Sequence, residues 1–402
     1  MRPVLSVEEF RETVLAGIPS PRAVVVPLED AFGCVLAAEM RAPADLPAFP
    51  SSAMDGFAVR SCDLAGAAIG APVELVMAGE VRMGFAPGSE VAQGCAVAVP
   101  TGGMMPAGAD TVVPVEDCLV EGGVVRIETP SRPGRNIRPA GEDLLAGEEL
   151  VRAGSRLGAA DLGALAAAGA AEVRVFPRPR VVIFSTGNEL VEGGRQARHG
   201  QIHESNSFML RGLVRQAGAE SVYAGQVPDD PEALLRALDA APPGEVLLCS
   251  GGVSAGRDDP VRAAFAGRGE VSCVQVKVQP GRPQAFGRWA GKPFFGLPGN
   301  PMASLVSFEL FVRPALQKML GLPGAVAYLD AVLEGPLEAA PDAVRYVPVR
   351  LNRAGPLLAA PGGPRRSNQL AKLARADGLA EVPPGAGLSV GDRVRVISIR
   401  ER

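Results

Sequence analysis

Between residues 180 and 320, short apolar runs alternate with stretches in which apolar side chains recur every three or four positions. Apolar runs of this length predict buried strands, and the longer spacing predicts helices with one buried face. The predicted strands are Arg180–Ser185, Val222–Val227, Glu245–Ser250, Val271–Val278 and Pro293–Leu297, and the predicted helices are Asn206–Gln216, Pro231–Ala240 and Pro301–Leu320. The alternation is typical of a parallel α/β sheet covered by helices.

Polar residues mark the positions at which three helices begin. Ser6, with Glu9 three residues later, has the pattern of a capping box and predicts a helix over residues 6–17. Asp230 and Asn300 each precede a proline, so each predicts a capping side chain followed by proline at the first helical position.

The rest of the sequence divides into regions that differ in composition and in the spacing of apolar residues. Residues 44–140 are rich in glycine and proline and contain short valine-rich runs, which predicts a β-rich module. Helical patterns lie on both sides of it, so we expect this module to be inserted into a helical domain. The predicted domains are a helical domain of residues 1–43 and 141–177, the inserted module of residues 44–140, an α/β domain of residues 178–326 and a C-terminal β domain of residues 327–402.

Composition excludes several classes of partner. The chain has 40 Lys+Arg and 44 Asp+Glu, a balance too even to attract nucleic acid or an anionic membrane. Its apolar runs fall short of the ~18 residues of a membrane-spanning helix. The six cysteines lie far apart without a C-x-x-C pair, which indicates buried thiols in the reducing cytoplasm. Since there are only two histidines, a Cys/His metal site is not expected.

Three loops rich in glycine, serine or proline follow predicted strands, at the sheet edge where open α/β sheets bind ligands. They are Ser185–Glu189, Ser250–Gly256 and Leu297–Pro301. Glycine lets backbone N–H groups approach phosphate oxygens, and hydroxyl groups add further donors. One such loop is commonly a plain turn, but three at one edge predict a phosphate cradle. Its candidate residues are Thr186, Ser250, Gly251, Gly252, Ser254, Pro298, Asn300 and Pro301.

Acidic residues lie beside these loops, and carboxylates next to phosphates need a hard cation such as Mg²⁺ between them. The candidate ligands are Glu189 and Asp259, the second expected to be an exposed loop carboxylate. Asp230 is interpreted as a helix cap alone, and Asp258 as a solvated surface charge. The sequence therefore predicts a Mg²⁺-assisted reaction of a phosphate compound.

A Pro-Gly turn at residues 280–281 has a cation on each side, Lys277 and Arg282, and this pattern is typical of a clamp for an oxyanion. The alternative is an exposed hairpin with two solvated cations. Side chains two residues apart on a strand share a face, so Lys277 would reach the pocket that Gln279 faces.

Seven sequence blocks occur in a characteristic order. They are Pro50–Val59 with Asp55, Thr101 with Pro106–Val112 and Glu116, Arg138–Asp143, Ser185–Leu190, Gly251–Ser254 with Asp259, Pro280–Pro283, and Leu297–Pro301; in the tail, Ser367 and Ala376–Leu379 follow. The set resembles the molybdopterin molybdenumtransferases, a family that includes bacterial MoeA and the E domain of gephyrin. The resemblance extends nearly from end to end of the chain.

This resemblance implies four domains: a helical domain split by an inserted β module, a central parallel α/β domain that binds molybdopterin, and a C-terminal β barrel. It also implies a homodimer, in which the cleft of one subunit receives residues from the β module of the other. The residues that would reach the cleft across the dimer are Asp55, Thr101, Glu116, Arg138 and Asp143, and Ser367 would bind substrate from the tail.

The implied reaction inserts molybdenum from molybdate into adenylylated molybdopterin and releases AMP, late in the synthesis of the molybdenum cofactor. A molybdopterin adenylyltransferase is the expected partner, since it would supply the intermediate. The catalytic candidates are Asp55, Asp143, Glu189 and Asp259, with Mg²⁺ at the last two. The candidates for holding molybdate are Ser254, Lys277 and Arg282.

The anion site departs from the family pattern in two positions, because Gln279 and Arg282 stand where the family has lysines. The family's arginine early in the tail has two counterparts here, Arg345 and Arg350. Two other functions stay open. One is a molybdopterin adenylyltransferase, against which the additional domains argue, and the other is a catalytically silent pterin-binding scaffold, which the missing lysine favours. The sequence does not distinguish molybdate from tungstate.

Overall fold

The computed structural model of the chain describes residues 4–253, 259–268, 271–352, 357–362 and 368–400. The chain forms two compact units. Unit 1 comprises Met1–Val26, Ala31–Ala37 and Arg174–Arg402, and unit 2 comprises Pro27–Asp30 and Ala38–Val173. Across the described ranges, every helix is too short or too polar to cross a membrane. The four domain boundaries given above stay a prediction.

A seven-stranded sheet forms the centre of unit 1. Its strands lie in the order Val4–Leu5, Val271–Val276, Pro283–Trp289, Lys292–Leu297, Val246–Ser250, Arg180–Thr186 and Glu220–Val227. The last four run parallel, whereas Pro283–Trp289 is antiparallel to both of its neighbours. The predicted parallel α/β sheet is therefore confirmed, with one antiparallel strand that the apolar pattern did not predict.

Each face of this sheet packs against its own set of helices. Successive side chains of a strand point to opposite faces, so Val181 and Ile183 join one hydrophobic core, and Val182 and Phe184 join another. The first core includes Phe10, which meets Phe311 edge to face with ring centres 4.8 Å apart. The helices of unit 1 are Val7–Gly17, Asn206–Gln216, Pro231–Asp239, Pro260–Phe265, Pro301–Ser307, Arg313–Met319 and the short Leu370–Leu373.

Two of the three predicted helix starts have the expected capping bonds. Ser6 Oγ accepts a hydrogen bond from the Glu9 N–H at 3.1 Å, and the Glu9 carboxylate accepts one from the Ser6 N–H at 2.7 Å. Asp230 accepts from the Ala233 N–H at 2.6 Å. Asn300 occupies the cap position before Pro301, but its side chain makes no capping hydrogen bond.

The helix predicted over residues 301–320 is divided by a π-helical turn, Phe308–Val312. Pro314 lacks the N–H that would bond to the Leu310 carbonyl, so the hydrogen-bond ladder changes register before it. The turn contains a buried carboxylate, Glu309, which accepts two hydrogen bonds from the Arg313 guanidinium, at 2.5 and 2.8 Å.

The strand predicted over residues 271–278 also differs in the structure. It ends at Val276, the chain bends at Lys277, and Val278–Gln279 then pairs in parallel with Val344 and Arg345. The two short segments therefore belong to different sheets, because the second has joined the C-terminal barrel.

Five strands close the predicted C-terminal β barrel. Around the barrel they lie in the order Val344–Asn352, Leu358–Pro361, Leu329–Leu333, Arg393–Ser398 and Gly378–Val382, and the last pairs with the first. Apolar side chains such as Val349, Ala380 and Val396 fill its interior.

Unit 2 contains a six-stranded sheet in the region of the predicted β-rich module. Its strands lie in the order Cys118–Glu121, Val124–Ile127, Val73–Glu80, Cys95–Val99, Gly56–Val59 and Thr111–Pro114. Two short pairs accompany it, Ser51–Ser52 with Ile137–Arg138 and Met40–Arg41 with Glu149–Val151, followed by the helix Ala159–Ala167. A further sheet consists of Val24–Pro27, Glu172–Phe176 and Val35–Leu36, in that order.

Replacing Glu309 by glutamine should destabilise unit 1 by about 3 kcal/mol, because the charge of Arg313 would remain mostly buried without its carboxylate. The control is Glu192→Gln, which breaks an exposed ion pair with Arg195 and should cost about 0.5 kcal/mol or less. Trp289, the single tryptophan, lies in unit 1, so its fluorescence during urea unfolding measures both variants. Equal stabilities would contradict the expectation.

Candidate active site

A cleft of about 1060 Å³ lies in unit 1, at the edge where the parallel strands end. All three predicted loops line it, which brings together Thr186, Ser250, Gly251, Gly252, Pro298, Asn300 and Pro301. Ser254 and Ser367 lie outside the described residues, although Asn368 and Leu370 line the cleft from the tail. The prediction that these loops share one edge of the sheet is confirmed.

Two of the loops pack so closely that only glycine fits between them. Gly251 has φ +98°, and a Cβ there would lie 2.7 Å from both the carbonyl oxygen and Oγ1 of Thr186. Gly252 has φ +70°, and a Cβ there would lie 2.9 Å from Pro260. Both contacts are shorter than van der Waals packing allows, so a side chain at either position would force these segments apart.

Asn206 connects two of these loops through its amide nitrogen. Its Nδ2 donates to Ser250 Oγ at 2.8 Å and to the Gly299 carbonyl at 2.7 Å. Because Ser250 Oγ accepts this bond, its own proton is available to an anion in the cleft. Asn206 was not predicted as a site residue, because its partners lie 44 and 93 residues away along the chain.

A buried carboxylate supports the base of the cleft. Glu204 accepts hydrogen bonds from the Ser185 hydroxyl at 3.0 Å and from the Ser207 N–H and hydroxyl at 2.8 and 2.5 Å. These bonds fix the first loop against the start of the helix Asn206–Gln216. Glu204 was not predicted either, and its position two residues before a helix is the one signal in the sequence that indicates it.

Asp259 is buried, which corrects the expectation of an exposed loop carboxylate. It is 5% exposed and caps the helix Pro260–Phe265 by accepting a hydrogen bond from the Arg262 N–H at 3.2 Å. Asp259 nevertheless lines the cleft, as do the carboxylates of Glu189 and Asp229. Asp230 is a cap and does not belong to the lining, while Asp258 lies outside the described residues.

The described part of the chain contains no group of three or more His, Cys, Asp or Glu side chains close enough to hold a metal ion. Mg²⁺ commonly binds through one or two carboxylates together with the phosphates of a substrate. The carboxylates beside the glycine loops therefore fit a cation that arrives with a phosphate compound, and do not fit a closed site made by protein alone.

The Pro-Gly turn forms one wall of the cleft, with Gln279 and Arg282 both in the lining. Arg282 donates to the carboxylate of Asp342, and this bond lowers the pKa of Asp342 below its usual range. Buried Gln284 holds the turn from below, since its amide donates to the Gly281 carbonyl and to Ser307 Oγ, both at 2.6 Å.

Lys277 is absent from the residues that line the described cleft. The bend at this residue places it outside both strands, and its charge acts on Asp342, whose pKa it helps to lower after the larger effect of Arg282. Arg345 lies opposite Gln279 in the parallel ladder and donates to the Glu338 carbonyl at 3.0 Å. Arg350 lines another pocket, so of the two tail arginines Arg345 is the neighbour of the clamp.

The remaining candidates all lie in unit 2 and are exposed. Asp55 accepts hydrogen bonds from the Thr101 N–H at 2.7 Å and from its hydroxyl at 3.0 Å, and these bonds lower the pKa of Asp55. The Val115 N–H, next to Glu116, donates to the Asp55 carbonyl at 3.0 Å. Arg138 and Asp143 line a cavity of about 560 Å³ within this unit.

Three family models match consecutive parts of the chain. The model described as the MoeA N-terminal region (domain I and II) matches residues 5–169, a probable molybdopterin binding domain matches residues 182–318, and the MoeA C-terminal region (domain IV) matches residues 330–399.

Proteins from several organisms are similar over most of the chain. Molybdopterin molybdenumtransferase 2 of Mycobacterium tuberculosis is 40% identical over 94% of this chain and 95% of its own length. The molybdopterin molybdenumtransferase of Nostoc is 35% identical, over 93% and 88%. The crystal structure of a molybdopterin biosynthesis MoeA protein from Pyrococcus horikoshii is 33% identical and covers 100% of both chains with a TM-score of 0.80.

Replacing Gly251 by alanine should lower the free energy of unfolding of unit 1 by about 3 kcal/mol, because strain at positive φ adds to the clash with Thr186. The matched control is Gly200→Ala. Gly200 also has positive φ, +87°, but a Cβ there meets open space, so the cost should be about 1 kcal/mol. Urea titration of both variants measures the difference, and equal losses would show that the two loops are not in close contact.

Proposed function

The chain belongs to the MoeA family of molybdopterin molybdenumtransferases, and we propose that it inserts molybdenum from molybdate into adenylylated molybdopterin, releasing AMP. The observation that carries this proposal is the convergence of three glycine-containing loops and the Ser250 hydroxyl on one cleft that Arg282 also lines. Such donors suit a ligand with several phosphate oxygens and a dianion such as molybdate.

Two sets of described residues would bind the two anions of the reaction. The hydroxyl of Ser250 and the N–H of Gly252 would hold phosphate oxygens, and Arg282 would hold molybdate after leaving Asp342. A molybdate oxygen can attack the phosphorus on the molybdopterin side of the anhydride, so a P–O–Mo link forms, the P–O bond to AMP breaks and AMP leaves. The two dithiolene thiols then lose their protons and bind molybdenum, and the bond from molybdenum to the phosphate oxygen breaks, so the phosphate stays on molybdopterin. This route requires no nucleophile from the chain.

We also propose that a divalent cation binds in the cleft. Asp259 and Glu189, which line the cleft beside the glycine loops, would hold Mg²⁺ together with the phosphates of the substrate. When bound, it would offset the negative charge that builds up as the anhydride breaks. The role of Asp259 is then to present a fixed carboxylate, because its capping bond to Arg262 N–H prevents it from turning away.

The oligomeric state and the location are also proposals. We propose a homodimer in which Asp55, Thr101, Glu116, Arg138 and Asp143 of one subunit face the cleft of the other. The adenylylated intermediate would come from a molybdopterin adenylyltransferase. A cytoplasmic location is proposed with these, on the spacing of the six cysteines, which lacks the pattern of a disulfide framework.

The similarity of the flanking regions favours the transferase over an adenylyltransferase, because the N-terminal and C-terminal family models lie outside the α/β domain. A catalytically silent scaffold would bind molybdopterin without turnover. Two incubations distinguish the three functions. With adenylylated molybdopterin, Mg²⁺ and molybdate, only the transferase releases AMP. With ATP and molybdopterin, only an adenylyltransferase forms the adenylylated intermediate, and the scaffold does neither.

Replacing Asp259 by asparagine should reduce AMP release by roughly 100-fold or more, because the amide keeps the helix cap but loses the charge that holds the cation. Asp230→Asn is the matched control, since Asp230 also caps a helix that begins with proline but does not line the cleft. That variant should stay within about twofold of the parent. Turnover of Asp259→Asn at the parent's rate would reject this role for the carboxylate.

A heterodimer with Asp55→Ala in one subunit and Asp259→Asn in the other tests the assignment across the dimer. If each cleft combines the two subunits, one of the two sites remains intact and about half of the activity survives. The heterodimer is isolated with two different affinity tags, and the two homodimeric variants serve as inactive controls. An inactive heterodimer would place both residues in the same subunit's site.

A further inference from the structure

Asn206 has an oxygen atom whose role is not explained by the contacts within the chain. The residue is 9% exposed and lines the cleft, yet its Oδ1 has no hydrogen-bond partner among the residues that the structure describes. A buried acceptor without a partner lowers the free energy of unfolding by about 1–3 kcal/mol, so we expect this oxygen to have a function.

The orientation of the amide is fixed by its other atom. Nδ2 lies 2.7 Å from the Gly299 carbonyl, which can only accept, so the nitrogen has to be on that side. Its second bond, to Ser250 Oγ, holds the same orientation. Oδ1 is therefore kept in place as an acceptor, and because Asn206 lines the cleft, a bound ligand can supply its donor.

The chemistry of the ligand narrows the choice of donor. Phosphate and molybdate oxygens near neutral pH accept hydrogen bonds and offer few protons, so they match the loop N–H groups and Arg282 instead. A pterin ring presents several N–H donors along its edge. We propose that Asn206 Oδ1 accepts a hydrogen bond from an N–H of the bound pterin, which makes Asn206 a specificity-determining residue of the site.

This assignment rests on the proposed function, and it gives Asn206 two tasks at once. Nδ2 joins the loops that hold the phosphate, while Oδ1 recognises the ring attached to that phosphate. A single side chain at the start of the helix Asn206–Gln216 would therefore contact both the phosphate-binding loops and the ring. It would favour ligands in which the phosphate and the ring are the matching distance apart. A phosphate compound without N–H donors would enter the same cradle and leave Oδ1 unsatisfied, and this would lower its affinity.

The experiment compares two probes that carry the same phosphate, pterin-6-methyl phosphate and naphthalen-2-ylmethyl phosphate, by calorimetry on the full chain. The parent should bind the pterin probe more tightly. Asn206→Ala should reduce the ratio of the two affinities by about tenfold, the loss expected for one hydrogen bond in a desolvated site. Equal losses for both probes would mean that Asn206 only ties the loops, and would overturn the proposal.

Two further variants keep the test decisive. Asn206→Asp retains the size and an acceptor oxygen but loses the Nδ2 donor that ties the loops, so both probes should bind more weakly while the ratio of their affinities stays near that of the parent. A collapsed ratio would refute the proposal even if the alanine variant fails to fold. Ser221→Ala is the control, because Ser221 Oγ is also buried without a partner in the described chain but does not line the cleft. Its removal should leave both affinities unchanged.

AMP serves as a third probe, since adenine also carries an amino group. A loss of AMP affinity in Asn206→Ala, with pterin affinity unchanged, would assign Oδ1 to the nucleotide and overturn the pterin assignment. Failure of the parent to bind any pterin probe would refute the proposed function itself. Binding by the parent with an unchanged ratio in Asn206→Ala would refute only the role of Asn206.

Discussion

The close approach of two backbones at the carboxyl edge of the central sheet is the constraint on which the cleft depends. Strands Arg180–Thr186 and Val246–Ser250 pair in register up to Ser185 and Ser250, so the loops that follow them leave the sheet side by side. Only glycine fits where these loops meet, at Gly251 and Gly252. The donors of one loop are therefore fixed relative to the other, and an anion binds without the cost of rearranging them.

A layer of buried hydrogen bonds connects this edge to the helices. Glu204 and Asn206 stand on either side of a helix start and between them hold Ser185, Ser207, Ser250 and the Gly299 carbonyl. Polar groups in such a layer are expensive to bury unless each has a partner. The layer consequently defines one arrangement of the loops, because any other arrangement would separate several hydrogen bonds at once.

The sequence predicted those features that depend on neighbouring residues. Apolar spacing and capping residues located the helices Val7–Gly17, Asn206–Gln216 and Pro231–Asp239 and most strands of the central sheet to within two or three residues, since these signals act over one turn of chain. The helix Pro260–Phe265 was not predicted. The burial of Asp259, the bond between Asn206 and Ser250, and the separation of Lys277 from the cleft depend on which distant segments meet. The bend at Lys277 in particular arises because the next two residues pair with the barrel, a choice that no local pattern encodes.

The bend at Lys277 also determines how the anion clamp, the turn that carries Arg282, is attached to the rest of unit 1. Val276 belongs to the seven-stranded sheet and Val278 to the edge of the barrel, so the turn that carries Arg282 is attached to two sheets through one intervening residue. Arg282 is held from the barrel side by Asp342, and the turn is held from the sheet side by Gln284. A small rotation of the barrel would therefore move the turn that carries Arg282. Changes in barrel packing would then alter anion binding from outside the cleft.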